Sequence, residues 1–76
     1  MPALTPIKWR EFEKFLLYVG CEFKRQKGGH RIYNRAGLHR PLVVPCHGII
    51  PIFVIRNNLR LLQIQTEQYF EILKKV

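Results

Sequence analysis

The chain has 76 residues and a formal net charge of +8, with thirteen lysines and arginines against five acids. This length predicts one small domain, residues 1–76, and a hydrophobic fraction of 47% is enough for a thin core. No leader-like opening and no apolar run of the ~20 residues that a membrane span needs are visible. Its two cysteines are too few for a secreted disulfide framework. We therefore expect a cytoplasmic protein with free thiols and no membrane contact.

The basic residues are separated from the acidic ones along the chain. No Asp or Glu occurs from Phe23 through Thr66, and the basic residues of that segment are Lys24, Arg25, Lys27, Arg31, Arg35, Arg40, Arg56 and Arg60. A one-sided field of this kind concentrates polyanions at the surface, which favours a nucleic-acid partner. The same lack of carboxylates argues against a two-metal nuclease, because hard divalent ions prefer oxygen ligands.

The first element predicted along the chain is a helix from Pro6 to Val19. Thr5 and Pro6 are typical of an N-cap followed by proline at the first helical position. Gly20 stands where a left-handed residue often closes a helix. Apolar side chains recur between them at helical spacing, namely Trp9, Phe12, Leu16 and Val19, with Ile7 and Phe15 beside the stripe.

Three extended segments follow this helix. Cys21–Lys27 and His30–Asn34 are separated by Gly28-Gly29, which is a strong hairpin signal because primed turns need positive φ. The third strand, Leu38–Pro45, contains Pro41, whose missing amide proton predicts an edge strand or a late start of the ladder. Regular alternation in the first strand places Cys21, Phe23 and Arg25 on one side and Glu22, Lys24 and Gln26 on the other.

The last third of the chain predicts a loop and two helices. Cys46–Gly48 is the loop, and a helix from Phe53 to about Leu62 is entered just after Pro51. Thr66 is the expected N-cap of a short closing helix, with Phe70 and Leu73 as its core-facing side chains. The order helix, three strands, helix, helix predicts an α+β fold, a three-stranded antiparallel sheet with the helices packed on one face.

Several of these residues resemble a known family. Gly20–His30, which includes Lys27-Gly28-Gly29-His30, resembles the hallmark segment of HicA-type (YcfA-like) toxins. Val43–His47 resembles the family's Val-x-Val-Pro-x-His element, and Ile55–Leu73 resembles its closing helices, so the likeness covers almost the whole chain. It implies a dsRBD-like α-β-β-β-α fold, an mRNA-cleaving toxin, and neutralisation by a HicB-type antitoxin.

This chain departs from the family's pattern in two places. Gly29 stands where the family usually has serine. The segment Ile49–Val54 is strongly apolar, whereas the family often has charged residues there. We expect this segment to pack in the core or, in part, to form a patch that an antitoxin covers.

The resemblance also implies that His30 is the catalytic residue. RNA cleavage needs a proton acceptor that works near neutral pH and fixed cations beside the phosphate, and imidazole suits the first need. We predict that Lys27 and Arg25 contact phosphate, and that Lys24 and Arg31 belong to the wider RNA-binding surface. The auxiliary candidates are Gly28, Gly29 and His47; His47 is either a partner acid or, as we favour here, a loop residue that hydrogen-bonds locally.

Other chemistries are less well supported by the sequence. Cys46 and His47 are adjacent and Cys21 is distant, so no zinc-ligand spacing appears, and adjacent residues point apart too much for a Cys–His nucleophile. His39 is expected to be a solvated strand residue, and Tyr33 either stacks on a base or packs in the core. No cofactor or metal is expected. A non-catalytic RNA-binding module is the main alternative, while a DNA-binding regulator lacks a basic recognition helix.

Overall fold

The computed structural model describes residues 3–76. Met1 and Pro2, which belong to the opening segment discussed above, lie outside them. The chain forms, in order, β1 (Ile7–Lys8), α1 (Trp9–Tyr18), β2 (Glu22–Lys27), β3 (His30–Asn34), β4 (Leu42–Pro45), β5 (Ile49–Ile50), α2 (Ile52–Leu62) and α3 (Thr66–Leu73). The predicted α+β order is therefore confirmed, with one short strand pair, β1 and β5, added to it.

Helix α1 begins three residues later than the predicted Pro6. Ile7 and Lys8 are extended because they pair antiparallel with β5, and the amide of Trp9 donates a hydrogen bond to the Gly48 carbonyl at 3.2 Å. Lys8, and not Thr5, is the N-cap residue, and it makes no side-chain capping bond. After the C-terminal end of α1, Gly20 adopts φ of 94°, which confirms the predicted left-handed residue there.

The main sheet has the strand order β2-β3-β4, and both pairings are antiparallel. β4 covers only the second half of the predicted segment Leu38–Pro45. Leu38 belongs instead to a turn, in which its amide donates to the Arg35 carbonyl. Pro41 cannot donate to a ladder, so pairing starts at Leu42, and β4 lies at the sheet edge as predicted.

A β-bulge interrupts β2 between Phe23 and Arg25. Phe23 pairs with Tyr33 and Arg25 pairs with Ile32, so two residues of β2 stand opposite one residue of β3. The predicted alternation, with Phe23 and Arg25 on the same side, is therefore wrong. The side chains of Phe23 and Arg25 lie on opposite faces of the sheet.

One face of the sheet is covered by helices. We call it the covered face; Tyr33, Leu42 and Val44 lie on it and are fully buried. From α1, Phe12, Phe15 and Leu16 pack into the same core, and the α3 residue Tyr69 meets the Phe15 ring edge-on at 4.9 Å. The opposite side, which we call the open face, carries the alternate side chains of the three strands.

The closing helices differ from the prediction at their caps. α2 starts one residue early, at Ile52, and α3 is capped by Gln65 and not by Thr66, which is its first helical residue. The Gln65 amide donates to the Gln68 side chain at 3.0 Å in a reciprocal capping box. Tyr69 is the buried residue of α3, whereas the predicted core residues, Phe70 and Leu73, are only half-buried.

The apolar segment Ile49–Val54 divides between core and surface. Ile50 is fully buried opposite Ile7, but Ile49 is 61% exposed and Phe53 is 73% exposed. The alternative of a partly exposed patch is the one that the structure shows. Within residues 3–76, none of the helices has the length and apolar character needed to cross a bilayer.

Candidate nucleic-acid interface and active site

The β2–β3 hairpin turns through two glycines. Lys27 and His30 are paired directly across the turn, and Gly28 adopts φ of 60° at its first central position. Glycine at that position is typical of a type II′ turn, whose twist matches that of the flanking strands. Gly29 lies outside the left-handed region. The hairpin therefore holds His30 as the first residue of a paired strand, and its side chain is exposed.

The register collects two predicted phosphate ligands around His30 on the open face. Lys27 faces His30 across the ladder, and Arg25 faces Ile32, the next residue of β3 on the same side. Directly opposed residues in antiparallel strands share a face, and their Cβ atoms lie about 4.5–5.5 Å apart. All three polar side chains are exposed. One imidazole and two cations thus share a surface on which a phosphodiester has access to them.

Lys24, the extra residue of the bulge, is also exposed. Its Nζ lies 3.3 Å from a carboxylate oxygen of Glu22, so part of its charge is already compensated. An exposed pair of this kind contributes about 0–1 kcal/mol and exchanges readily for another anion. Lys24 lies farther from His30 along the strand than Arg25 and Lys27 do, and its contribution to RNA binding stays a prediction.

Arg31 lies on the covered face, in a cluster of side chains. Its Nε donates to the Tyr33 hydroxyl at 3.0 Å, one terminal nitrogen donates to Gln26 at 3.2 Å, and the other lies 3.0 Å from the Glu13 carboxylate. Its guanidinium also stacks 3.8 Å from the centroid of Phe23. The predicted contribution of Arg31 to RNA binding stays a prediction, since its first role is to join β2 and β3 to α1.

Tyr33 packs in the core, which decides between the two roles considered for it. Its hydroxyl donates to the Glu13 carboxylate and accepts from Arg31. Burial raises the pKa of Tyr33 to about 12, and the bond to Glu13 acts in the same direction while Arg31 opposes it. Tyr33 is therefore not available for base stacking on the open face.

The end of β4 brings a second imidazole to the hairpin turn. Pro45 pairs with His30, and the amide of the next residue, Cys46, donates to the Gly29 carbonyl at 2.9 Å. The ring of His47 then lies over Gly29: a Cβ built on Gly29 would stand 3.2 Å from its Cε1 and 3.3 Å from its Nδ1. His30 and His47, seventeen positions apart in the sequence, thus adjoin the same turn.

Basic side chains of α2 extend the open face beyond β4. Phe53, Arg56 and Arg60 follow one another at helical spacing, and together with Val43 they line a surface cavity of about 390 Å³. Val43 pairs with Ile32 and is 48% exposed. The sequence does not by itself predict this cavity; the i, i+3, i+7 spacing of an aromatic and two arginines is the one signal for it in the sequence.

The remaining candidates lie apart from this site. His39 is exposed in a bend and not in a strand, because the chain reaches β4 only at Leu42. Cys21 is buried in the core, where burial raises the pKa of its thiol and Arg35 partly offsets that rise. Among residues 3–76 there is no group of three or more His, Cys, Asp and Glu side chains that a metal ion would need.

These observations define a small basic α+β protein with a solvent-exposed imidazole on an open sheet face. The family model of the HicA toxins of bacterial toxin–antitoxin systems matches residues 9–64. The chain therefore belongs to the HicA toxin family, and the resemblance carried by Gly20–His30 and Val43–His47 is confirmed. The protein is thus the toxin of a pair, and an antitoxin is its partner. Neither the curated proteins nor the solved structures give a match.

Proposed function

We propose that this toxin is an mRNA interferase, an endonuclease that cleaves RNA without a metal ion and uses His30 as its proton acceptor. The observation that carries the proposal is the arrangement of His30 beside Lys27 and Arg25 on the open face. The family assignment gives the toxin role, and these three side chains supply a chemistry for it.

The chemistry uses the nucleophile that RNA itself carries. The imidazole of His30 removes the proton of a ribose 2′-hydroxyl, whose oxygen attacks the adjacent phosphorus. Negative charge then builds on the phosphoryl oxygens, where Lys27 and Arg25 stabilise it. The 5′-oxygen leaves, so the products are a 2′,3′-cyclic phosphate and a 5′-hydroxyl. General acid–base assistance of this kind contributes about 10²–10⁴-fold to the rate.

RNA binding is supported by the distribution of charge. The acid-free segment from Phe23 to Thr66 supplies the open face with Arg25 and Lys27, and α2 adds Arg56 and Arg60 along the β4 edge. Cations spread along one surface neutralise successive phosphates and release their counterions. A single strand can therefore cross His30 while its backbone stays in contact with fixed positive charge.

The test is a time course of RNA cleavage in excess EDTA. We expect the wild type to produce fragments with 2′,3′-cyclic phosphate ends, and we expect His30→Ala to lose at least 10²-fold in rate. His39→Ala, which removes another exposed imidazole outside the site, is the matched control and should cleave at the wild-type rate. Far-UV circular dichroism checks that both variants fold.

Two outcomes would contradict the proposal. Undiminished cleavage by folded His30→Ala would remove His30 from the chemistry. RNA retained by the wild type without any cleavage would support the non-catalytic RNA-binding module instead. To test mRNA as the substrate, each protein is expressed in a bacterial host: the wild type, but not His30→Ala, should arrest growth while transcripts fragment.

We further propose that the antitoxin is of the HicB type and covers the open face with acidic side chains. The net charge of +8 and the exposure of Arg25 and Lys27 support this complementarity. Charge reversal by Arg25→Glu and Lys27→Glu, made in a His30→Ala background to avoid toxicity, should lower the affinity for a co-expressed HicB-type protein. Unchanged affinity would place the antitoxin elsewhere on the toxin.

A further inference from the structure

The glycine at position 29 is not required by the backbone. Gly28 carries the positive φ of the turn, and Gly29 lies in a region open to any residue. The obstacle to a side chain is the imidazole of His47, whose Cε1 and Nδ1 lie 3.2 and 3.3 Å from the position of a Cβ. Glycine thus leaves a space beside His30 that the His47 ring occupies.

The position of His47 is fixed by the backbone that leads into it. The Cys46 amide donates to the Gly29 carbonyl at 2.9 Å, and Pro45 is paired with His30. None of the side-chain hydrogen bonds found among residues 3–76 involves the His47 ring, which is exposed. A local capping role would use such a bond. The ring nitrogens are therefore free for a molecule that enters from solvent.

We propose that His47 is the second proton-transfer group of the site and protonates the leaving 5′-oxygen. This inference rests on the proposed function. The P–O5′ bond needs a proton at its oxygen as it breaks, and an imidazolium is the side-chain acid best matched to neutral pH. His47 reaches the turn from the loop after β4, while His30 stands on β3, so the two rings would reach one phosphodiester from different segments of the chain.

These two groups account for both proton transfers of the reaction. His30 takes the 2′-hydroxyl proton as the O2′–P bond forms, and His47 gives a proton to O5′ as the P–O5′ bond breaks. No electron transfer occurs, and neither a metal ion nor a further reactant is consumed. Exchange with solvent then returns His30 to its neutral form and His47 to its protonated form.

The experiment compares two leaving groups. An oligoribonucleotide with one ordinary linkage is matched by the same oligoribonucleotide with sulfur in place of the bridging 5′-oxygen, because a thiolate leaves without prior protonation. His47→Gln keeps the size of the side chain and loses the acid. We expect it to slow the oxygen linkage about 10²-fold or more, and the sulfur linkage less than about 5-fold. His30→Ala should slow both linkages.

Each result decides the inference. If His47→Gln slows both linkages equally, His47 only positions the turn, and its assignment as the acid is wrong. If it slows neither, His47 has no part in the reaction. If the wild type cleaves neither substrate, the proposed function itself fails. Only a selective loss on the oxygen linkage, with an active wild type, supports the second imidazole.

A second variant tests the contact with Gly29 directly. Gly29→Ser suits the backbone and requires the His47 ring to give by a few tenths of an ångström, so any change in rate should fall on the oxygen linkage and not on the sulfur linkage. In a His47→Ala background the same substitution should have no further effect, because the imidazole ring is absent. The difference between its effects in the wild-type and His47→Ala backgrounds is the coupling energy of a double-mutant cycle. Equal effects in the two backgrounds would show that Gly29 acts independently of His47.

Discussion

The guanidinium of Arg31 lies 3.8 Å from the ring centroid of Phe23, with a carboxylate oxygen of Glu13 3.0 Å from its terminal nitrogen. An arginine of the basic segment is thereby used to attach the sheet to α1. Its side chain is only 20% exposed, so its bonds are partly shielded from water. The charge of Arg31 contributes to folding, while Arg25 on the opposite face stays exposed.

Replacing Arg31 should therefore affect stability more than RNA binding. We expect Arg31→Ala to lower the free energy of unfolding by about 1–3 kcal/mol, because it removes the donor to the Tyr33 hydroxyl and one of the two donors to the Glu13 carboxylate. Arg25→Ala is the matched control, with an expected change within about 0.5 kcal/mol. Urea denaturation measures both. A smaller loss for Arg31→Ala than for Arg25→Ala would contradict the structural role.

Lys27 should contribute one phosphate contact. We expect Lys27→Gln to reduce the slope of log K against log salt for single-stranded RNA by about 0.7, the value for one phosphate fewer. Lys75→Gln removes an exposed charge near the C-terminus, outside the basic segment, and serves as the control. Fluorescence anisotropy in a His30→Ala background avoids cleavage. Equal slopes for Lys27→Gln and the parent would remove Lys27 from the interface.

The α2 arginines should bind RNA without taking part in the chemistry. Arg56 and Arg60 line the cavity beside Val43, one strand away from His30. We expect Arg56→Gln combined with Arg60→Gln to raise KM several-fold and leave kcat nearly unchanged, since such residues bind ground state and transition state alike. Steady-state kinetics on a defined oligoribonucleotide gives both constants. A fall in kcat with unchanged KM would contradict this role.

Two buried tyrosines should make the fold sensitive to alkaline pH. Burial raises the pKa of Tyr69 to about 12, and the same cause dominates for Tyr33. Both are neutral in the folded state up to a higher pH than in the unfolded chain, where tyrosine ionises near 10. Their stabilisation is thus complete below pH 10 and is lost as pH rises toward 12. Urea unfolding across this range should show it.

Tyr69→Phe is the informative variant for that pH dependence. It removes an ionisable group whose pKa is raised by burial alone, so the fall in unfolding free energy between pH 10 and 12 should become shallower. Tyr18→Phe, at an exposed position, is the control. A fall that is identical in Tyr69→Phe and the parent would contradict the assignment.

The two cysteines should react at different rates. Cys21 is buried, and burial raises the pKa of its thiol, so little thiolate is available and access is poor. Cys46 is partly exposed in the loop after β4. We expect iodoacetamide at pH 8 to alkylate Cys46 first in the native protein, and both cysteines in urea. Peptide mass spectrometry reads out each site, and faster labelling of native Cys21 would contradict the buried position.

Much of the fold follows from local patterns in the sequence. The apolar spacing of Phe12 and Leu16 predicts the buried side of α1, and Gly28-Gly29 predicts the hairpin because only glycine takes φ of 60° there without cost. The start of α1 was missed because it depends on a distant segment. Ile7 pairs with Ile50, and no local signal competes with Thr5 and Pro6 as a helix start.

The candidate site was only partly accessible from sequence. Lys27-Gly28-Gly29-His30 predicts a histidine at a strand start, but which side chains share its face depends on the register. His47 lies close to Gly29 because β3 pairs antiparallel with β4, and this pairing joins residues that are far apart in the chain. Periodicity within a segment contains no information about such a contact.

The bulge in β2 also determines where this strand tolerates a change in length. Because Lys24 and Arg25 together face Ile32, loss of Lys24 would restore regular alternation and leave Phe23 inward and Lys27 outward. Loss of Gln26 would instead place Arg25 opposite Arg31 and turn its side chain toward the core, because Lys27 stays paired with His30 across the turn. In a sequence alignment, relatives whose β2 is one residue shorter should therefore have the gap at the position of Lys24.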